Sequence, residues 1–134
     1  MSDFFEGFLY FAAYFAGAIA FCVAFGAIYL RLTPHREFHL MTDQHNASAA
    51  LALGGNLVGF AIALAGAIHN THSALEFVVW AIVALLTQFI AYGLARLAYP
   101  GLSRAIEENA IAAAAWLAAV SIAAGLVSAA CMSP

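Results

Sequence analysis

The polar side chains best placed to do chemistry lie in one short segment between two apolar stretches. His35 and His39 are four residues apart, with Glu37 between them. Two imidazoles one helical turn apart can share a face and hold a metal ion, with Asp43 and His45 as further ligands. The segment departs from the His-Glu-x-x-His pattern of zinc peptidases, because Glu37 follows His35 by two positions. It is therefore a weak candidate, and we expect no bound metal and no cofactor.

The same segment can also be interpreted as a helix lying flat at a membrane surface. Phe38, Leu40 and Met41 would then enter the headgroup region while the charged side chains face water. This interpretation requires no ligand, and His35, Glu37 and His39 would simply be solvated in the loop. Either way, the segment is the most polar part of the chain.

Three other polar side chains, Asn56, Gln88 and Ser121, each lie near the middle of a long apolar stretch. A buried amide without a hydrogen-bond partner is costly in hydrocarbon. We therefore expect Asn56 and Gln88 to contact each other, within the chain or across a subunit interface. The first interpretation is hydrogen bonding that holds helices together. The alternative is a neutral polar path, because no ionisable residue for proton coupling lies at the centre of a stretch.

The apolar stretches that carry these residues dominate the chain. Of its 134 residues, 66% are hydrophobic and 8% are charged, a balance that a small soluble domain could not bury. A membrane-spanning helix needs about 20 mostly apolar residues. The sequence therefore predicts an all-α, polytopic membrane protein, a single domain over 1–134 with four transmembrane helices. The predicted spans are approximately 8–30, 47–68, 75–97 and 110–131.

The arginines predict the orientation of these spans. The chain has no lysine, and its four arginines lie in or beside two loops, the first after Leu30 and the second after Leu97. Positively charged loops stay in the cytoplasm. Both arginine-bearing loops should therefore be cytoplasmic and both termini periplasmic. The absence of a basic patch gives nucleic-acid binding no support.

The two halves of the chain share an order of features. An arginine and a proline end a helix at Arg31 and Pro34, and again at Arg96 and Pro100. A polar segment follows in each half, and an asparagine, a favoured N-cap, precedes an alanine-rich helix. We interpret this as two tandem two-helix repeats, at about 1–70 and 71–134, inserted in the same orientation.

Small residues predict where the helices pack. In lipid, helices associate by close van der Waals contact, so glycine and alanine mark interfaces. Gly54, Gly55 and Gly59 in the second span, and Gly125 in the fourth, should place these two spans at the tight centre of the bundle. The third span, rich in large residues such as Trp80, should face lipid more. Small-residue faces also favour a homo-oligomer in the bilayer.

Three segments carry a resemblance to a known family. They are YLRLTPHRE at 29–37, NASAALA at 46–52 with Gly54, and AACM at 129–132. Together they resemble the YjfL family of bacterial inner-membrane proteins (domain of unknown function 350, UPF0719-like). The resemblance implies an inner-membrane location, four spans and no established reaction. It also implies links to envelope-stress proteins and to polyamine-related systems.

These observations leave three functional hypotheses. The first is a non-enzymatic membrane protein that oligomerises or recruits partners, including envelope-stress proteins, because almost no residues lie outside the bilayer. The second is a subunit of a small oligomeric channel or transporter with a path lined by Asn56, Gln88 and Ser121. The third is a metal-binding protein that uses the loop histidines. We expect no catalytic residue, because no pairing of a nucleophile with a base is visible.

Overall fold

The computed structural model describes residues 2–32 and 44–132 of the chain. Over these residues the chain forms four long helices and one short helix, and no strand. The loop histidine His35 and its neighbours Glu37 and His39 lie outside the described residues. The helices are α1 (Ser2–Leu32), α2 (Ala47–Asn70), α3 (Ala74–Ala98), α4 (Leu102–Glu107) and α5 (Ile111–Cys131).

The four long helices, α1, α2, α3 and α5, are each long and apolar enough to cross a membrane. The predicted all-α fold with four membrane-spanning helices is confirmed. The predicted bounds of α2, α3 and α5 differ from the observed ones by at most two residues. However, α1 begins at Ser2, well before the predicted start near Phe8. Its first turn contains Asp3, whose charge stabilises a helix N-terminus.

The short helix α4 lies in the polar segment between α3 and α5, and the sequence did not predict it. Gly101 precedes it with a φ of 75°, a left-handed conformation that glycine adopts without steric cost. Leu102 and Ile106 are buried on its inner face. Arg104 and Glu108 form an ion pair of 3.3 Å at the surface, where exposure to solvent makes such pairs weak. The segment is thus folded back onto the ends of the long helices.

The centre of the bundle is the contact between α2 and α5. A Cβ atom placed on Gly55 would lie 2.7 Å from the Cα of Ala118, and one on Gly66 would lie 2.7 Å from the Cα of Ala129. Because the contacts advance in the same direction along both helices, α2 and α5 run parallel. Backbones this close gain the van der Waals contact that holds helices together in lipid.

The outer helices differ in how much of their surface is covered. Seven residues of α3 are buried, including Phe77 and Tyr92. Only Phe25 and Tyr29 are buried in the whole of α1. As expected, α3 is less covered than the central helices α2 and α5, but α1 is far more exposed than α3. The reason is that α3 packs against the central pair along its length, whereas α1 is covered only in its second half.

The starts of α2 and α5 share one backbone conformation. His45 has a φ of 52° and is followed by Asn46 at φ −76°, ψ 107°. Asn109 has a φ of 62° and is followed by Ala110 at φ −78°, ψ 100°. The backbone therefore matches Asn46 with Ala110, one residue away from the match of Asn46 with Asn109 in the sequence. The tandem repeat stays a prediction. A comparison of the two halves should align Asn46 with Ala110.

Candidate functional site

A buried cluster of polar side chains joins three helices near the middle of the bundle. Ser121 of α5 donates a hydrogen bond from its hydroxyl to Oδ1 of Asn56 in α2 at 2.7 Å. The amide Nδ2 of Asn56 donates to the backbone oxygen of Ala52 at 2.7 Å and contacts the hydroxyl of Tyr29 in α1 at 3.3 Å. Asn56, Ser121 and Tyr29 have no solvent exposure. All the hydrogen-bonding atoms of the Asn56 amide group are thus engaged inside one protomer.

Gln88 of α3 completes this cluster from the other side. Its Nε2 donates to the backbone oxygen of Ser121 at 3.2 Å. The expected contact of Asn56 with Gln88 therefore takes a different form, because Ser121 stands between them and bonds to both. The side-chain oxygen of Gln88 is buried and has no hydrogen-bond partner within the described part of the protein.

Glycines at the helix contact make room for the cluster. A Cβ on Gly59 would clash with the backbone oxygen of Ser121 and would lie 2.8 Å from Nε2 of Gln88. A Cβ on Gly125 would clash in turn with the backbone of Gly59. Three of the four predicted packing glycines, Gly55, Gly59 and Gly125, thus lie at the α2–α5 contact. Gly54 does not, because its Cβ position meets open space.

Tyr29 is the member of the cluster that the sequence did not single out. Its ring stacks on Phe25 at 6.0 Å and meets Tyr92 edge-on at 5.5 Å. Aromatic packing therefore anchors the second half of α1 while the hydroxyl reaches Asn56. A tyrosine within an apolar span could have indicated a buried hydroxyl in need of a partner. Which residue that partner is depends on how α1 is rotated against α2.

A second polar arrangement ties together the helix ends on the side of the arginines. Asn46 caps its own helix by accepting a hydrogen bond from the backbone N–H of Ala49 at 2.9 Å, and it donates to the backbone oxygen of Ile106 at 3.0 Å. The sequence predicted that Asn109 would cap α5, and this is wrong, because Ala110 occupies the N-cap position. Asn109 accepts from the backbone N–H of Ser48 at 3.0 Å instead. The two asparagines therefore cross-link the start of α2 with the segment between α4 and α5.

An open apolar groove of about 470 Å³ lies between α3 and α5. Its walls include Trp80, Ile90, Ala123 and Val127. Thr87 also lines the groove, but its hydroxyl donates a hydrogen bond to the backbone oxygen of Val83. A groove of this chemistry accommodates a lipid acyl chain or the side chains of another helix. Its lining contains no carboxylate, imidazole or cationic side chain that could act as an acid or base.

The described residues contain no cluster of three or more histidine, cysteine or acidic side chains that could hold a metal ion. The candidate ligands His35, His39 and Asp43, and Glu37 between the two histidines, lie outside those residues. His45 is exposed just before α2. The geometry of Asn56, Gln88 and Ser121 favours the structural interpretation over a polar path. The side chains of Asn56 and Ser121 bond to each other, Gln88 bonds to the backbone of Ser121, and all three residues are buried.

Comparison with known proteins places this arrangement in a family. The sequence model of a family described as "Domain of Unknown Function (DUF350)" matches residues 3–132. The UPF0719 inner membrane protein YjfL of Escherichia coli K12 is 34% identical over 128 residues, which cover 96% of each chain. YjfL of Escherichia coli O157:H7 shows the same identity and coverage. No solved structure matches the chain. With four apolar helices and these relatives, the chain is a multi-pass inner-membrane protein and belongs to the DUF350 family.

Proposed function

We propose that this protein is a non-enzymatic inner-membrane module that oligomerises or recruits other membrane proteins. The observation that carries the proposal is the contrast between the core and α1. Hydrogen bonds of Asn56, Ser121 and Gln88 hold the core helices together. In contrast, α1 has 31 residues and buries only Phe25 and Tyr29. A chain built this way has a rigid centre and one long helix free to contact other proteins.

Lengths of the helices support the same proposal. At 1.5 Å per residue α1 is about 46 Å long, whereas the hydrocarbon core of a bilayer is about 30 Å thick. The 21 residues of α5 are close to that thickness. With 24 and 25 residues, α2 and α3 exceed this thickness by only about 6–8 Å, so α1 has by far the largest excess length. The family resemblance suggests envelope-stress proteins as the first external partners to test.

The number of copies in one complex tests the proposal directly. The full chain, labelled with one fluorophore, is placed in liposomes at decreasing protein-to-lipid ratios, and its photobleaching steps are counted. We expect more than one step per spot, persisting as the ratio falls. Crosslinking in cells gives the second measurement, with the envelope-stress proteins as named targets. Single steps at every ratio, together with no crosslink to those targets, would overturn the proposal.

The proposal includes an orientation in which both arginine-bearing loops are cytoplasmic and both termini periplasmic. A variant with Cys22→Ala and Cys131→Ala provides a background without cysteine. In this background Ser73→Cys should react with a membrane-impermeant maleimide in cells with a permeable outer membrane. Glu107→Cys should react only after the inner membrane is opened. The reverse pattern would show that the orientation is wrong.

A further inference from the structure

The apolar groove between α3 and α5 continues along α3 towards a positive charge. Ile90 and Leu94, one helical turn apart, line both the groove and a shallower hollow on the surface of α3. The hollow is also lined by Gly93, Arg96 and Leu97. Gly93 leaves open space where a Cβ would stand. The groove and the hollow therefore form one open depression, here named the α3–α5 trough, with Arg96 at one end.

The two tryptophans of the chain mark the depth of the trough in the membrane. Trp80 lines its far end, and the indole N–H of Trp116 donates a hydrogen bond of 3.3 Å to the backbone oxygen of Ala95, next to Arg96. Tryptophans concentrate at the two interfaces between membrane and water. Trp80 and Ala95 are separated by about 22 Å of helix, which fits within a hydrocarbon core of about 30 Å. The trough therefore lies among lipid tails, with Arg96 at the level of the headgroups.

The trough is narrow for its length. Its part between α3 and α5 has a volume of about 470 Å³ over about 21 Å from Trp80 to Leu94, a mean cross-section of roughly 22 Å². A single extended hydrocarbon chain fits this section, because its carbons lie about 3.5–4.0 Å from the atoms that they contact. A helix with its side chains is about 10–12 Å across, so only side-chain tips could enter. The shape therefore favours a lipid tail over another helix.

The length of the trough also suits a lipid tail. Val83 and Leu94 both line it, and they are separated by about 16 Å along α3. Half of the hydrocarbon core, the depth filled by the tails of one leaflet, is about 15 Å. A tail whose headgroup lies beside Arg96 would therefore fill the half of the trough nearest to that residue.

The charge of Arg96 is available to a headgroup. Within residues 2–32 and 44–132, the ion pair joins Arg104 to Glu108, and Arg96 has no carboxylate partner. The guanidinium of Arg96 lies 6.0 Å from the centre of the Tyr92 ring, one turn earlier on α3. A guanidinium can donate two parallel hydrogen bonds to a phosphate group. Arg96 thus offers, beside an apolar groove, the group that recognises a lipid phosphate.

We infer that the α3–α5 trough binds an anionic phospholipid, with one acyl chain between α3 and α5 and the phosphate at Arg96. Zwitterionic phospholipids also carry a phosphate, but their ammonium group offsets its charge. A single unpaired arginine at headgroup level therefore favours a lipid of net negative charge. The site does not depend on the proposed oligomerisation, because every residue that forms it belongs to one protomer.

Native mass spectrometry of the full chain tests the preference for an anionic lipid. The protein in detergent micelles receives equal amounts of phosphatidylglycerol and phosphatidylethanolamine with the same acyl chains, and bound lipids are identified by mass. We expect preferential retention of one phosphatidylglycerol. Arg96→Gln should lower this preference about fivefold, the contribution of one arginine near an anionic surface.

Two further arginine variants separate the charge from the helix end that carries it. Arg96→Lys keeps the charge and should retain most of the preference. Arg104→Gln is the matched control and should leave it unchanged, because Arg104 is paired with Glu108 and does not line the trough. Equal retention of the two lipids by the unaltered chain would overturn the inference. The same loss in Arg96→Gln and Arg104→Gln would also overturn it.

Filling the trough gives a second measurement that leaves the charge in place. Ala123 is exposed and lines the trough, so Ala123→Phe puts a ring where the tail would lie. Ala61→Phe is the control, because Ala61 is exposed on α2 and lies outside the trough. We expect only Ala123→Phe to lose the bound lipid, with equal melting temperatures for the two variants in lipid-free detergent.

Two outcomes of this measurement would contradict the inference. Phosphatidylglycerol retained by Ala123→Phe as well as by Ala61→Phe would show that the tail lies elsewhere. Dimers of the unaltered chain that carry no lipid, and that Ala123→Phe separates, would show that a second copy occupies the trough. That second result would reject the lipid site and support the proposed oligomerisation.

Discussion

The hydroxyl of Ser121 donates a hydrogen bond of 2.7 Å to the side-chain oxygen of Asn56, and this bond joins the two parallel central helices. It lies near the middle of both α2 and α5, where water is scarce. Each side chain gives the other a hydrogen-bond partner at a depth where water is not available as one. The bond therefore explains why two polar residues are present in otherwise apolar spans.

Removing one partner should be costly. Ser121→Ala leaves Oδ1 of Asn56 buried without a donor, and we expect the free energy of unfolding to fall by about 1–2 kcal/mol. Reversible unfolding in mixed detergent micelles measures this change. A double-mutant cycle with Asn56→Leu isolates the bond and should give a coupling energy of about 0.6–1.7 kcal/mol. Strictly additive effects would show that the bond contributes nothing.

Gln88 should behave differently from Ser121. Its substitution by methionine keeps the volume, removes one hydrogen bond and also removes the buried oxygen that has no partner in the described structure. We expect Gln88→Met to change the free energy of unfolding by less than about 1 kcal/mol. The same micelle assay compares it with Ser121→Ala. A loss as large as that of Ser121→Ala would mean that a buried water satisfies the Gln88 oxygen.

The neighbouring glycines of α2 provide a matched pair. Gly59→Ala places a methyl group against the backbone of Ser121 and the amide of Gln88, so α2 and α5 must separate. We expect it to cost at least about 1–3 kcal/mol. Gly54→Ala meets open space and should be neutral or stabilising by up to about 1 kcal/mol. Melting temperatures in detergent report both, and similar shifts for the two variants would contradict the close contact at Gly59.

Asn46 combines a helix cap with a link to the α4 segment, and two substitutions separate these roles. Asn46→Ala removes both and should cost about 1–2 kcal/mol. Asn46→Ser keeps the cap to Ala49 but loses the donation to the oxygen of Ile106, so its cost should be smaller. Hydrogen exchange at the start of α2 is the measurement. If the two variants exchange equally fast, the cap has no role.

Much of the fold is visible in the sequence because membrane insertion is largely a local property. A stretch of about 20 apolar residues forms a membrane-spanning helix regardless of which other segments surround it. The bounds of α2, α3 and α5 could be predicted for this reason. The close contact of α2 with α5 could also be predicted, because glycines such as Gly59 within an apolar span mark the places where helix backbones approach each other.

The sequence by itself therefore determined the number of membrane-spanning helices, their approximate ends and which pair is central. Only the tertiary structure decided which polar groups meet: Asn56 with Ser121 and Tyr29, with Gln88 bonded to the backbone of Ser121. It also showed that the other helices bury only Phe25 and Tyr29 of α1. The physical reason is that rotation and depth of one helix against another follow from packing between distant segments, which no single apolar stretch encodes.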